Sequence, residues 1–468
     1  FFLKQKTAYE IASCLVRSEM CIRDRYPTLE SRLFEPVSAS EIEASLGSSE
    51  PWGTPVIARG AGRSYGDSAL AETLISTRYL DNFSSLTTSA SGHTVLRCAS
   101  GMSLENVLET IIPQGLFLPV LPGTKAVTIG GAIAADVHGK NHHIDGSFCD
   151  HVESIRILLA TGEVIDCHRG SNAELFHATC GGMGLTGIIL DAAIKLTPLS
   201  SLDIAQRSLV AGNLQECMDL MDEHNDAKYS VAWIDCLARG ATQGRSVLYL
   251  GEHVDEQDAR EKSKPGRTGL RAIQRSELNI PFDAPSLLLN KYTMAGFNSA
   301  YYALQKNRSA PKRITYDAFF FPLERLRNWN RLYGAKGFLQ YQLALPQESA
   351  HAGISAILSC ASQAGKGSFL SVLKKFGKAN SNLLSFPIEG YTLALDFKYE
   401  ASLFPLLEQL DTLVLDHGGR LYLAKDARMS KECFRQSYGQ WERFAELRQK
   451  FDPQGHFSSL QSRRLGLG

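Results

Sequence analysis

The chain has 468 residues, and its 49 Lys and Arg balance 49 Asp and Glu; this is length enough for two or three domains around a large core, without the basic excess of a nucleic-acid binder. No apolar stretch reaches the roughly 20 residues of a membrane span, so a soluble or peripherally attached protein is expected. The ten cysteines include no CxxC pair, which argues against metal ribbons and thioredoxin-like chemistry and for buried thiols in a reducing compartment.

Residues 1–25 show neither a helical nor a strand period, and they lack the basic start, apolar segment and small-residue cleavage site of a signal peptide. They resemble translated sequencing-adapter read-through and are expected to lie outside the native fold; an ordinary N-terminal tail is the alternative. Thr54–Arg59 is a short apolar run that reads as a buried strand. It leads into Arg59-Gly60-Ala61-Gly62-Arg63-Ser64-Tyr65-Gly66-Asp67. The glycines permit positive φ and close approach, so successive amides can point at one anion, with Arg63 adding charge and Ser64 a hydroxyl. A plain turn is the other reading. Gly60-x-Gly62 after a strand, with Asp81 downstream, imitates a dinucleotide-binding βαβ unit. The third glycine is displaced to Gly66, however, and Tyr65–Ser68 opens no amphipathic helix to receive a pyrophosphate.

His93–Ala99 reads as the next strand. Ser103 caps a helix with Leu104, Val107, Leu108 and Ile111 on one face, ended by Pro113 and Gly115. The apolar segment Phe117–Leu121 leads to a second glycine-rich run, Leu121–Asn141, where Pro122-Gly123 turns and Gly130-Gly131 lets a flat or bulky group press on the backbone. His151–Asp166 reads as a hairpin turning at Thr161-Gly162. Asn172 caps a short helix carrying Leu175 and Phe176, which stops at the third run, Gly181–Ile188. Gly187–Leu196 is again a strand. His138, His142, His143 and His151 lie among Asp136, Asp145, Asp150 and Cys149 with no recognised ligand spacing, so no metal is expected.

Beyond residue 200, strand-like pieces (Ser246–Leu250, Phe338–Leu345, Tyr391–Phe397) mix with helix-like ones (Leu214–Glu223, Ala352–Ala361, Leu403–Leu415). There is no regular βα alternation, so the class is α+β. Glu256–Gly269 is polar and reads as a mobile loop. Gln340 and Gln342 share a strand face; if buried they need partners, for which sugar hydroxyls and core groups serve equally. Lys425 sits in the strand-like Tyr422–Asp426. A lysine on a solvated face is inert, but a desolvated one can act as a base or orient a hydroxyl.

Three glycine-rich runs between Arg59 and Ile188 imply one large ligand threaded between backbones. The stretches IARGAGRSYGDSA, GLFLPVLPGTKAVTIGGAIAADVHGKNHH and ELFHATCGGMGLTGII, followed by KYTMAG, GFLQYQ, LSFPIEGYTLALDF, GGRLYLAKDAR and DPQGHFSSLQSRRLGL, resemble the vanillyl-alcohol oxidase superfamily, and within it the oxidases of polyprenyl-phosphoryl ribose. The resemblance implies a two-subdomain PCMH-type FAD-binding domain over 27–198, an α+β substrate (cap) domain over 200–410, and a C-terminal segment, 411–466, returning to the flavin. It places the FAD pyrophosphate on Arg59, Gly60, Gly62, Arg63, Ser64, Tyr65 and Gly66. Gly123, Thr128, Gly130, Gly131, Ala135 and His138 would bracket the ribityl chain and ring, with Ile188 and Tyr422 beside them. It implies Lys425, Tyr65 and His138 as catalytic residues, and Gln340, Gln342, Lys374 and Lys425 at the substrate, with Asp396 orienting polar groups.

Many superfamily members attach FAD covalently through a histidine at the position of Tyr65. A phenol cannot form that bond, so dissociable FAD is expected. Ala394 and Phe320 stand where the resembling enzyme carries cysteine and tyrosine, which leaves the pocket details and the sugar open. The implied reaction is oxidation of a polyprenyl-phosphoryl pentose at C2′, completed by a separate short-chain reductase. The expected location is cytoplasmic, with peripheral contact at the inner membrane face. Alternatives are oxidation of a soluble polyol or aldonolactone, as in D-arabinono-1,4-lactone oxidase, and a non-catalytic flavin-binding scaffold.

Overall fold

A computed structural model describes residues 14–19, 25–46, 55–89, 92–254, 278–285, 289–306, 310–368 and 370–467. Glu256–Gly269, expected as a loop, lies outside the described residues. Two small sheets and one large one organise the rest. The first has the order Cys14–Glu19, Thr28–Phe34, Thr73–Ser76, Val56–Arg59. Its first strand belongs to the stretch expected outside the fold, yet it pairs antiparallel with Thr28–Phe34, Cys14 opposite Leu33. Val56–Arg59 and Thr73–Ser76 run parallel. The chain's far end extends this sheet: Phe457 bridges Val56 in parallel, with Val56 N donating to His456 O and Ser458 N to Val56 O.

The second sheet is antiparallel, in the order Phe83–Thr88, Thr94–Ala99, Ile188–Lys195, Val152–Leu158, Val164–Cys167. The expected hairpin and the Ser103-capped helix Leu104–Ile111 are both present, and that helix buries Leu104, Val107, Leu108 and Ile111. Asn172 precedes the helix Ala173–Thr179 but does not cap it. Its φ is +52°, and its amide donates to Asp166 O instead. The second glycine-rich run contains an unforeseen helix, Ile129–Ala134, capped by Thr128 Oγ1 accepting from Gly131 N at 3.2 Å. Its IGGAIA sequence carries too little helix propensity to announce it.

The large sheet is antiparallel, with eight strands in the order Lys312–Thr315, Asp203–Ala211, Ser246–His253, Tyr229–Ile234, Ser371–Phe376, Gly390–Lys398, Phe338–Pro346, Arg420–Leu421. Alternation gives it two unlike faces. Leu339, Tyr341, Leu343, Leu373, Leu393 and Leu395 pack with the helices Leu214–Glu223, Ala350–Gln363 and Leu403–Asp416 in one core. The intervening residues Gln340, Gln342, Val372, Lys374, Ala394 and Asp396 face a cavity. Tyr422–Asp426 is not a strand. Pairing stops at Leu421, and Leu423–Lys425 form a 3-10 turn that swings Lys425 toward the first glycine loop.

Gly66 marks the tightest contact between that loop and the C-terminal segment. Its φ is +85°, and a Cβ there would lie 2.0 Å from Asp426 O. Gly66→Ala is expected to cost at least roughly 1–3 kcal/mol through backbone strain and overlap. Gly123 has open space where its Cβ would stand, so Gly123→Ala should change stability little. Denaturant unfolding of the two variants checks this.

Candidate active site

Between the two small sheets and the polar face of the large one lies a cavity of about 1060 Å³. It is at the upper end of small-molecule sites and has room for a dinucleotide and part of a second ligand. Of the residues expected at the site, Gly60, Gly62, Arg63, Ser64, Tyr65, Gly123, Thr128, Gly130, Gly131, Ala135, His138, Gln340, Gln342, Lys374, Tyr422 and Lys425 line this one space. Three expected cofactor residues turn elsewhere. The Arg59 guanidinium folds back over Gly62, with Nη2 2.9 Å from where a Gly62 Cβ would be. Gly66 packs on the Asp426–Ala427 backbone. Ile188 enters the core beside Val56, Ile75 and Leu158, and strand alternation leaves Gly187 and Ile189 on the cavity wall.

The cofactor end fits a flavin dinucleotide. A Cβ on Gly60 would come within 2.2 Å of Thr128 Oγ1, so only glycine lets the first loop approach the Thr128 cap. Arg63 supplies charge beside these glycines. The Ser100 hydroxyl, unmarked by any sequence signal, lies buried in the wall with no hydrogen-bond partner among the described residues. A buried hydroxyl in that state calls for a polar ligand atom.

At the other end, polar residues converge from distant strands. Gln342 Nε2 lies 3.0 Å from His138 Nε2 and 3.2 Å from Thr392 Oγ1, and Lys374 Nζ lies 3.1 Å from His138 Nδ1. Burial, reinforced by the Lys374 charge, drives the His138 pKa well down, so its ring is neutral. A neutral imidazole has one N–H. Gln342 donates to Nε2 and to Thr392, which places the ring proton on Nδ1, the side that Lys374 approaches. The rest of Lys374 meets the cavity, not bulk water, and burial with the nearby Lys425 charge brings its pKa down to about 7. Lys140 reaches Phe319 O and is likewise lowered to about 7 by burial and by Lys374. Burial raises Asp396 to about 7, against the Gln340 amide that donates to it at 2.5 Å. Lys425 Nζ sits 3.9 Å over the Tyr65 ring centre, and Tyr422 donates to Ala135 O at 3.0 Å.

Sequence reasoning names Asp136 only as a neighbour of the histidines and gives it no role of its own. It is fully buried with φ +39°. One oxygen accepts from Cys149 N, and the other from Asn380, Asn382 and Ser385. These bonds fix the turn that carries His138. The neighbouring histidines are used singly: His142 accepts from Gly377 N, His143 bonds Ala227 O, and His151 bonds Asp145 O.

Comparison with known proteins agrees with this geometry. A profile described as FAD binding domain matches residues 31–168, and one described as D-arabinono-1,4-lactone oxidase matches residues 395–465. The chain is 37% identical to decaprenylphosphoryl-beta-D-ribose oxidase of Mycolicibacterium smegmatis, over 94% of this chain and 95% of that protein. It is 33% identical to an uncharacterized protein in the mprA 5′ region of Streptomyces coelicolor, over 78% and 100%. To L-gulonolactone oxidase of Bos taurus it is 27% identical, over 41% and 42%. FAD is the cofactor, and the activity is that of an FAD-dependent oxidoreductase.

The lysine cluster makes anion binding proton-linked. Lys374 is neutral above and charged below a pH of about 7. An anionic ligand beside it favours the charged form, so affinity should hold below that pH and fall as the pH rises through it. Calorimetry of the FAD-loaded protein with a sugar phosphate, in buffers of different ionisation enthalpy, should show proton uptake that Lys374→Met reduces.

Proposed function

This chain belongs to the family of FAD-binding oxidoreductases that includes decaprenylphosphoryl-beta-D-ribose oxidase, and on that premise we propose that it oxidises the C2′ alcohol of a polyprenyl-phosphoryl pentose. One observation carries the reading. The polar face of the large sheet sets Gln340, Gln342, Lys374 and Asp396 into the same cavity as Lys425, Tyr65 and His138. Amides and carboxylate suit sugar hydroxyls, and the lysines suit a phosphate.

In this reading Gln340 and Gln342 orient the sugar, held in turn by Asp396 and by the His138–Thr392 pair. Lys374 and Lys140 receive the phosphate. The Lys425–Tyr65 pair meets the reacting hydroxyl and takes up its proton. Burial of these groups in the cavity wall strengthens each of these contacts. FAD, when bound, supplies the two-electron acceptor. A separate short-chain reductase would complete an epimerisation. Among the described residues no helix is long and apolar enough to cross a membrane, so a lipid-linked substrate would be met by peripheral contact, at the inner face of the cytoplasmic membrane. The profile match over residues 395–465 favours a second reading, oxidation of an aldonolactone.

Anaerobic mixing decides between them. Prenyl-phosphoryl ribose is expected to bleach the flavin while aldonolactones and alditols do not; the reverse would establish the second reading, and bleaching by none would leave a flavin-binding scaffold. Lys425→Met should slow bleaching by roughly 10²–10⁴-fold with the flavin spectrum retained. With tyrosine at position 65, acid precipitation should release all the FAD; yellow colour left on the polypeptide would refute dissociable binding.

A further inference from the structure

The helix Lys291–Lys306 stands at the cavity mouth, with Met294, Phe297 and Tyr301 in the cavity wall. Its inner side is anchored by buried Asn298, which donates to Asp235 at 2.8 Å, and by Tyr302, which donates to Ala211 O. Its outer side is unlike that of a solvated helix. No charged residue occurs between Lys291 and Lys306. The large side chains turned outward are Tyr292, Phe297 and Leu304, exposed by 74%, 50% and 56%. Because Phe297 is both exposed and in the cavity wall, the apolar surface runs unbroken from the cavity onto the helix.

A neighbouring segment extends this surface. Leu278 and Phe282 are 71% and 67% exposed. Their segment is tied by Leu278 N and Ala284 N to the carbonyls of Arg325 and Arg331, in the stretch whose Leu326 and Trp329 line the same cavity. Of the ten large apolar side chains exposed among the described residues, five therefore gather at this one mouth. Lys291, Lys306, Lys312, Arg325 and Arg327 are exposed around it. The carboxylates of the same stretches are already engaged, Asp283 by Arg25, Asp317 by Lys125 and Glu324 by Thr124.

We propose that the helix Lys291–Lys306 and the segment 278–285 form a lip that seats the cavity mouth on an anionic lipid bilayer. An apolar face ringed by cations and continuous with a ligand cavity has the chemistry of such a surface. Seating it there lets the apolar tail of a substrate pass from bilayer to cavity without crossing water. The proposal rests on the lipid-linked reading above. Residues 255–277 are an unsuitable cover, since their only large apolar residues are Leu270 and Ile273 amid a dense run of charges.

The test is flotation of the FAD-loaded protein with vesicles of phosphatidylcholine, with and without phosphatidylglycerol. The comparison is the triple variant Phe282→Ser/Tyr292→Ser/Leu304→Ser, none of whose positions lines the cavity. The native chain is expected to float with the anionic vesicles, less so at high salt, and the variant to bind at least about tenfold more weakly. The variant should bleach as the native chain does with a short-chain, water-soluble prenyl-phosphoryl ribose. With the long-chain substrate in vesicles it should show a raised KM. Equal flotation of the two, no flotation of the native chain, or a native dimer that the variant converts to a monomer without any vesicle binding would each overturn the lip. Flotation lost in the variant, but with neither substrate bleaching the flavin, would support the lip and refute the substrate reading.

Discussion

One cation holds the active site together. Arg464 reaches Asp67 at 2.7 Å and Asp426 at 2.9 Å. Asp67 directly follows the first glycine loop, and Asp426 directly follows Lys425. Both carboxylates are nearly buried, and Asp426 also accepts from the amides of Arg428 and Met429. Burial alone would raise the Asp426 pKa, but Arg464 and those amides hold it below its ordinary value. Removing one member of such a buried ion group strands the others, at roughly 3–5 kcal/mol. Around it, Tyr65 N donates to Ala424 O at 2.9 Å, and Gln461 donates to Leu423 O at 2.7 Å. The first glycine loop and the turn that bears Lys425 are thus tied together by groups far apart in the chain.

Against this pair stands the large sheet, whose alternation separates stability from chemistry. Alternate residues of its central strands build an apolar core, and the residues between line the cavity. Burial and a neighbouring lysine cost two cavity residues basicity, Lys140 through Lys374 and Lys374 through Lys425. That cost is recovered when an anion arrives, so the site is pre-set for a negatively charged ligand and not merely a polar one. The fully satisfied Asp136 serves the same end by holding the His138 turn still while the charges around it change.

Much of this was legible in the sequence because it is local. The Ser103 cap, the Thr161-Gly162 hairpin and the helices Leu214–Glu223, Ala350–Gln363 and Leu403–Asp416 are encoded within a few residues of themselves, whereas the helix Lys291–Lys306 went unread. The glycine loops were legible through their order and their resemblance to a family. The helix Ile129–Ala134 was not, since small residues announce no period. Tyr422–Asp426 reads as strand-like because it continues the apolar run Leu421–Ala424, whereas its 3-10 turn is held by contacts with the first loop. The contact of Gly66 with the Asp426 carbonyl has no signal in the sequence, because the two lie far apart along the chain. Asp136 draws Asn380, Asn382 and Ser385 as donors from more than two hundred positions away, a separation that no motif spans.

The double grip of Arg464 also bears on how the protein is made. The first glycine loop is synthesised well before the residue that fixes its position, since Asp67 and Arg464 lie 397 positions apart. Until Asp426 and Arg464 have emerged, nothing holds the loop against the turn that bears Lys425. The loop can therefore take its final place only once Arg464 has emerged, and a chain cut before that residue would lack the cation that joins Asp67 to Asp426.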